Sequence, residues 1–333
     1  MRLMSTFPPC RQRALHHLLA LFFCLLAGSI GGCSSRSPTP VTQDRPQPTP
    51  DAKDQAALLK ALDALPAQRP GIVDLYGVGF AGDASEDVFR NETLYLKTLL
   101  NERFAAGGRV VTLVNHPDNL TAHPYAPLAT YDNLYDTLTR IGQRMDPRED
   151  VLLLFITTHG TEDHTLYVQV SQDDEDWITP QDLRQALDDA GIINRVIVLS
   201  ACYSGGFVAA LKSPDTMVIT AARADRPSFG CGNTADATYF GQAWLVHALN
   251  QTDDFEHAYR LAADEISARE KAEGERPSEP QLWRGGRIGR VLQRWRAGLH
   301  PGPAVPYQVP ASTLTPNSLR ASTQRASSPA FCE

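Results

Sequence analysis

The strongest constraint in this chain is an alternation: short unbroken runs of Val, Ile and Leu, each followed by a stretch of helical spacing. Such runs fall at 72–80, 109–115, 151–157, 195–200 and 217–220. A strand that is apolar at every position must be covered on both faces, which is the mark of a parallel sheet and not of a half-exposed antiparallel one. The intervening segments supply the cover. Leu96, Leu99, Leu100 and Phe104 share one helical face, and Leu134, Leu138, Ile141 and Met145 share another. Thr179-Pro180-Gln181-Asp182 has the form of a helix start, with an N-cap, a first-turn proline and an acid on the dipole, and Gly191 closes that helix. Further helices are expected at 240–249 and 255–271, and a small one ahead of the first strand from Leu58, Leu62 and Leu65. A hairpin is expected to begin at 165–170, with the acids of 173–176 in its loop. The pattern predicts an α/β fold of three layers, a mostly parallel central sheet flanked by helices.

The termini read differently. Residues 18–30 (LLALFFCLLAGSI) form an apolar run preceded by Arg2, Arg11 and Arg13. That run is shorter than the roughly 20 residues of a spanning helix and has the layout of an export signal. The following Ile30-Gly31-Gly32-Cys33 resembles a bacterial lipobox, which implies lipidation of Cys33; an ordinary cleaved signal or a short membrane anchor are the alternatives. Residues 1–32 are therefore expected to be a lipoprotein signal peptide, and 33–51, with five prolines in 34–51, a disordered tether. The folded domain is expected over 52–298 and a disordered Pro/Ser-rich tail over 299–333. With Ser34 after the cysteine, the lipobox implies a lipid-anchored protein of the bacterial cell envelope, on the outer membrane facing the periplasm. The formal charge is −7, and losing 1–32 removes three arginines and no acid, leaving −10. An acidic chain without basic clusters argues against nucleic acid as partner.

Two strings carry chemistry. Thr157-Thr158-His159-Gly160 and Ser200-Ala201-Cys202-Tyr203-Ser204-Gly205-Gly206 each follow a strand directly. Ligands of open α/β sheets gather beyond the carboxyl ends of the strands, and sequential strands are neighbours about two-thirds of the time. An imidazole and a thiol at such ends are the equipment of cysteine nucleophilic catalysis. Gly160 permits close approach of a carbonyl, and its N–H with that of Cys202 would form an oxyanion hole. Taken alone, either residue has a structural explanation, since free cysteines are commonly buried core residues. Asp163 and His164 are close to His159 in sequence, but a solvated loop accounts for them. Cys202, Cys231 and Cys332 remain beyond the lipobox; Cys231 either pairs with Cys332, leaving Cys202 free, or is a buried thiol.

The two strings together resemble the caspase–haemoglobinase fold and, within it, the legumain family of cysteine peptidases, most closely a bacterial lipoprotein branch. Similar stretches are Ala81-Gly82-Asp83 through Arg90, Met145-Asp146-Pro147, and Ala221-Ala222-Arg223-Ala224-Asp225-Arg226 through Gly230-Cys231. The resemblance covers roughly residues 70–295. It implies a caspase-like sandwich without cofactor or metal and a peptide or protein substrate. It further implies attack by the Cys202 thiolate on a peptide carbonyl, an acyl-enzyme, and proton transfer through His159. The family's asparagine pocket is not reproduced: Gly77-Val78-Gly79-Phe80 stands where an Arg-His pair is expected, and the pocket acid falls on Gln242. Arg223, Asp225 and Ser228, with Arg226, are candidates for a replacement pocket, or else for a surface salt-bridge loop. Three other functions stay open on sequence alone. They are an inactive binding or scaffold lipoprotein of the same fold, a transpeptidase or transamidase with an amine acceptor, and a metal site of His159, His164 and Cys202, the last lacking the ligand spacing of zinc sites.

Overall fold

The computed structural model describes residues 50–122, 124–171, 174–232 and 235–310. The expected signal peptide, Cys33 and the expected tether as far as residue 49 lie outside these, as does Cys332. In chain order the elements are α1 (Pro50–Asp63), β1 (Leu75–Ala81), α2 (Asp87–Glu102), β2 (Val110–Val114), α3 (Pro117–Thr121), α4 (Tyr131–Arg144), β3 (Val151–Thr157), β4 (Leu166–Ser171), β5 (Asp174–Ile178), α5 (Pro180–Asp189) and β6 (Arg195–Ser200). A 3-10 turn (Ser204–Phe207), α6 (Val208–Leu211), β7 (Thr216–Thr220), a π-helix (Gly241–Ala248), α7 (Leu249–Gln251), α8 (Phe255–Glu273), β8 (Gln281–Arg284) and α9 (Ile288–Gly298) follow.

Six strands form one sheet in the order β2-β1-β3-β6-β7-β8, parallel except for β8. Its period of two sorts alternate side chains into two cores. Leu153, Phe155, Val196, Val198 and Ile219 pack with α2, the π-helix, α8 and α9, where Phe155 stacks on Trp244 at 6.2 Å. Leu152, Leu154, Ile156, Ile197 and Leu199 pack with α1, α4, α5 and the hairpin. The three layers are those the alternation predicts. A buried Leu of this kind contributes about 1.5–3 kcal/mol, so the strands alone supply a large share of the stabilisation.

The start of α5 matches its expected chemistry: Thr179 Oγ1 accepts from Asp182 N–H at 3.2 Å, and the Asp182 carboxylate accepts from Thr179 N–H at 2.9 Å. Three expectations are corrected. The acids Asp174, Glu175 and Asp176 are strand β5 and not the hairpin loop, because β4 and β5 form a two-stranded ladder outside the main sheet and β5 leaves those carboxylates exposed. Next, β8 and α9 were not expected, since Gln281-Leu282-Trp283-Arg284 has no apolar run; pairing with β7 makes it a strand. The tail expected from 299 is anchored on the domain at Leu299, Val305 and Tyr307, with most of the residues around them exposed. Val305 is buried, its N–H donates to Asn250 Oδ1 at 2.8 Å and its carbonyl accepts from Tyr95 Oη at 2.8 Å, while Tyr307 sits edge-on to Tyr95. Two apolar residues and two aromatics hold what composition alone assigns to disorder.

Candidate active site

Adjacency of β3 and β6 puts His159 and Cys202 at one edge. The register pairs Thr157 with Ser200, so each residue lies two positions beyond the same pair. Both are nearly inaccessible, at 6 % and 3 %. Gly160 fits against the Cys202 backbone: a Cβ there would run into the Cys202 carbonyl oxygen, so only glycine permits the two strand ends to touch. Gly160 also forms a bridge with Leu166 whose flanking bonds run from Thr161 N–H to Thr165 O and from Tyr167 N–H to His159 O. That pattern leaves the Gly160 N–H out of the ladder.

Beyond Cys202 the chain turns sharply. Tyr203 takes a left-handed φ of 55° and the 3-10 turn starts at Ser204; a side chain other than glycine in that region is strained and is held by its surroundings. Tyr203 N–H donates to the Arg226 carbonyl at 2.8 Å, which ties this turn to the loop after β7. The same loop brings Ser228 to the sulfur: its N–H lies 3.2 Å, its carbonyl 3.4 Å and its Oγ 3.6 Å from Cys202 Sγ. Cys202 is disulfide-bonded in this structure, and Cys231 is a free, half-buried thiol. The expectation of a free Cys202 is thus corrected, and nucleophilic action requires reduction, because only a thiolate sulfur carries the lone pair that attacks.

The surroundings of His159 come from β1, the other neighbour of β3. Its Nε2 is 3.2 Å from Glu86 Oε1 and 3.5 Å from Asp83 Oδ2, and Phe89 meets the ring edge-on at 5.2 Å. Glu86 is itself held by Gly232 N–H at 2.8 Å, and Asp83 by Ser85 N–H at 2.7 Å. Burial alone would disfavour the imidazolium, but the hydrogen bond with Cys231, the bond and charge of Glu86 and the charge of Asp83 outweigh it, and the pKa is pushed up to about 10. Burial in turn raises Asp83, against the opposing charge of His159. Neither acid was singled out as a partner for His159 from sequence. The stretch from Ala81 to Arg90 carried the family likeness, but nothing in it says that it abuts His159 until β1 is known to pair with β3.

The remaining candidates divide. Ser228 is at the sulfur. Arg223 and Asp225 are not: they pair with each other at 2.5 Å, and Arg223 and Arg226 both reach Glu279, in an exposed salt-bridge cluster. His164, at a left-handed φ of 62°, packs its ring over Gly206. Gln242 bonds His247 at 2.8 Å. Among the described residues no group of three or more His, Cys, Asp or Glu is placed to hold a metal, His159, His164 and Cys202 included.

On the other face of the sheet edge a further carboxyl is wholly buried. Glu92 accepts from Thr157 Oγ1 at 2.6 Å and Thr238 N–H at 2.7 Å, and burial raises its pKa despite those bonds. A Cβ on Gly241 would run into this carboxyl, so the π-helix starts with the one residue that leaves it room. Glu92 thereby joins the end of the His159 strand to the loop that carries Ser228 and Cys231.

Among curated proteins the sequence finds no match. The model of the peptidase C13 family matches residues 75–286, which includes both strand ends, the acids beside His159 and the Ser228 loop. This span covers most of the chain and all six strands of the sheet; the chain belongs to the peptidase C13 family, the legumain family of cysteine peptidases.

Proposed function

We propose that this chain is a lipid-anchored cysteine endopeptidase of the bacterial cell envelope, with Cys202 as nucleophile and His159 as its proton carrier. The observation that carries the reading is the common register of His159 and Cys202 beyond the Thr157–Ser200 pair, together with a family whose members are cysteine-type peptidases. With Cys202 reduced, its proton resides on the imidazole, which Glu86 and Asp83 keep cationic, and the thiolate is held by the Ser228 N–H. The sulfur attacks the peptide carbonyl; the oxyanion that forms is received by the N–H groups of Gly160 and Cys202. Collapse expels the amine, which takes its proton from His159, and water then releases the acyl group from sulfur. Ser228 N–H and the Tyr203 turn hold the sulfur in place. Export and lipidation at Cys33 rest on the lipobox resemblance and place the enzyme at the outer membrane.

Digestion of a peptide library with a thiol reductant present tests the reading. Wild type cleaves it, and Cys202→Ala loses about 10³-fold or more in kcat/KM. Equal cleavage by the two proteins removes the nucleophile. Adding a primary amine during turnover separates hydrolysis from transfer, because only a transpeptidase diverts most of its acyl-enzyme to the amine.

A further inference from the structure

At the opposite, amino-terminal end of the sheet a cleft of about 400 Å³ opens between the turn before β3, the segments leading into β6 and β7, and α9. Four guanidiniums line it, Arg148, Arg287, Arg290 and Arg294, against a single carboxylate, Asp215. Arg287 occupies that carboxylate with two bonds, of 2.7 and 2.5 Å. Arg148, Arg290 and Arg294 have no ion pair among the described residues. Elsewhere on this acidic chain most exposed arginines find acids: Arg140 takes Asp63, Arg260 and Arg284 take Glu256, Arg269 takes Glu273, and Arg296 takes Asp253 and Asp254, with Arg276 the exception among the described residues. Arg290 and Arg294 are four apart on α9 and so repel along one helix face. Convergent cations left unpaired in an acidic protein are compensated when an anion enters.

We propose that this cleft is a binding site for a phosphate-class anion, the phosphate of a small phosphorylated compound or of a phospholipid headgroup. Guanidiniums present rigid forks that match phosphate oxygens two at a time, and the groups here come from two separate elements, the β3 turn and α9. The exposed Ile193 forms an apolar wall beside them, suited to the organic part of a phosphate ester. A cleft of this size, with its cations gathered at one spot, favours a compact anion over an extended acidic polypeptide. The site is independent of the peptidase reading, since it shares no residue with the His159 edge.

The test uses the full chain and two variants, R290Q with R294Q on α9 and R148Q on the β3 turn, all at the surface, with circular dichroism confirming the fold. Inorganic pyrophosphate is titrated at matched ionic strength, and binding is followed by calorimetry and by the thermal midpoint. Flotation on phosphatidylglycerol vesicles against phosphatidylcholine vesicles supplies the second arm; the N-terminal apolar run, common to all variants, contributes equally to each. Saturable pyrophosphate binding weakened about tenfold or more in both variants supports the site and a soluble ligand. Flotation specific to phosphatidylglycerol and lost in both variants supports it with the lipid as source. Binding of neither probe, equal binding by wild type and variants, or binding of poly-glutamate alone overturns it.

Discussion

Two sets of charged side chains lie in the loops at this end of the sheet, and they differ in their access to water. On one side His159, Asp83 and Glu86 are gathered at the ends of β1 and β3, with side-chain exposures of 7 %, 3 % and 17 %. On the other, Arg223, Asp225 and Glu279 pair at exposures of 38 %, 60 % and 39 %. The formal chemistry is alike, cation against carboxylates at short range. In the buried set the imidazole pKa climbs to about 10. In the exposed set the Arg223 hydrogen bond also holds Asp225 down, to about 2, but solvent and salt screen such a pair and leave it little influence on the fold. Charge at this end of the sheet therefore matters according to burial.

Removing the buried cation breaks the comparison most severely. His159→Ala takes away the proton carrier, and kcat/KM falls about 10³-fold or more while the thermal midpoint shifts little by comparison. Next comes the carboxyl that is buried without any cation. Glu92→Ala strands the Thr157 hydroxyl and the Thr238 N–H, costing about 2–4 kcal/mol in chemical denaturation. Smaller in rate, and more diagnostic, is Glu86→Gln, for which a loss of about tenfold in kcat/KM is expected because Asp83 remains. Its signature is the pH profile. Activity that needs the imidazolium falls in wild type only as pH rises through about 10, and the substitution moves that alkaline limb to lower pH. The stability linked to His159 follows the same sign: its pKa is raised above the unfolded value near 6.5, so the contribution is complete below that value and is lost as pH rises through about 10. The smallest effect is on the exposed side, where Asp225→Asn shifts the thermal midpoint by at most about 2 °C and leaves kcat/KM near wild type. A large loss there would give the Arg223 loop the pocket role that its outward pairing does not support.

The site was partly legible beforehand for a definite reason. His159, Gly160 and Cys202 each follow an apolar strand closely, so their place at a strand end is a local property. Ser228 fell within a stretch singled out after β7, and the structure brings it to the sulfur. Asp83 and Glu86 gave no such signal; they become partners of His159 only through the β1–β3 ladder, which joins segments about seventy residues apart in sequence. The arginines of the α9 cleft were likewise invisible, because Arg148 is far from Arg290 in the chain and α9 itself was not expected.

By itself the sequence determined the layers, the strands of the parallel core, the capped start of α5 and the two strand ends that carry imidazole and sulfur, since all of these follow from side-chain period and local turn chemistry. The tertiary structure alone decided which carboxylates surround the imidazole, that Leu299, Val305 and Tyr307 pack on the core, that Gln281–Arg284 closes the sheet edge as an antiparallel strand, and that three arginines converge unpaired at the far end. Those outcomes depend on strand order and on what burial does to a charge. Neither is written in any local run of residues.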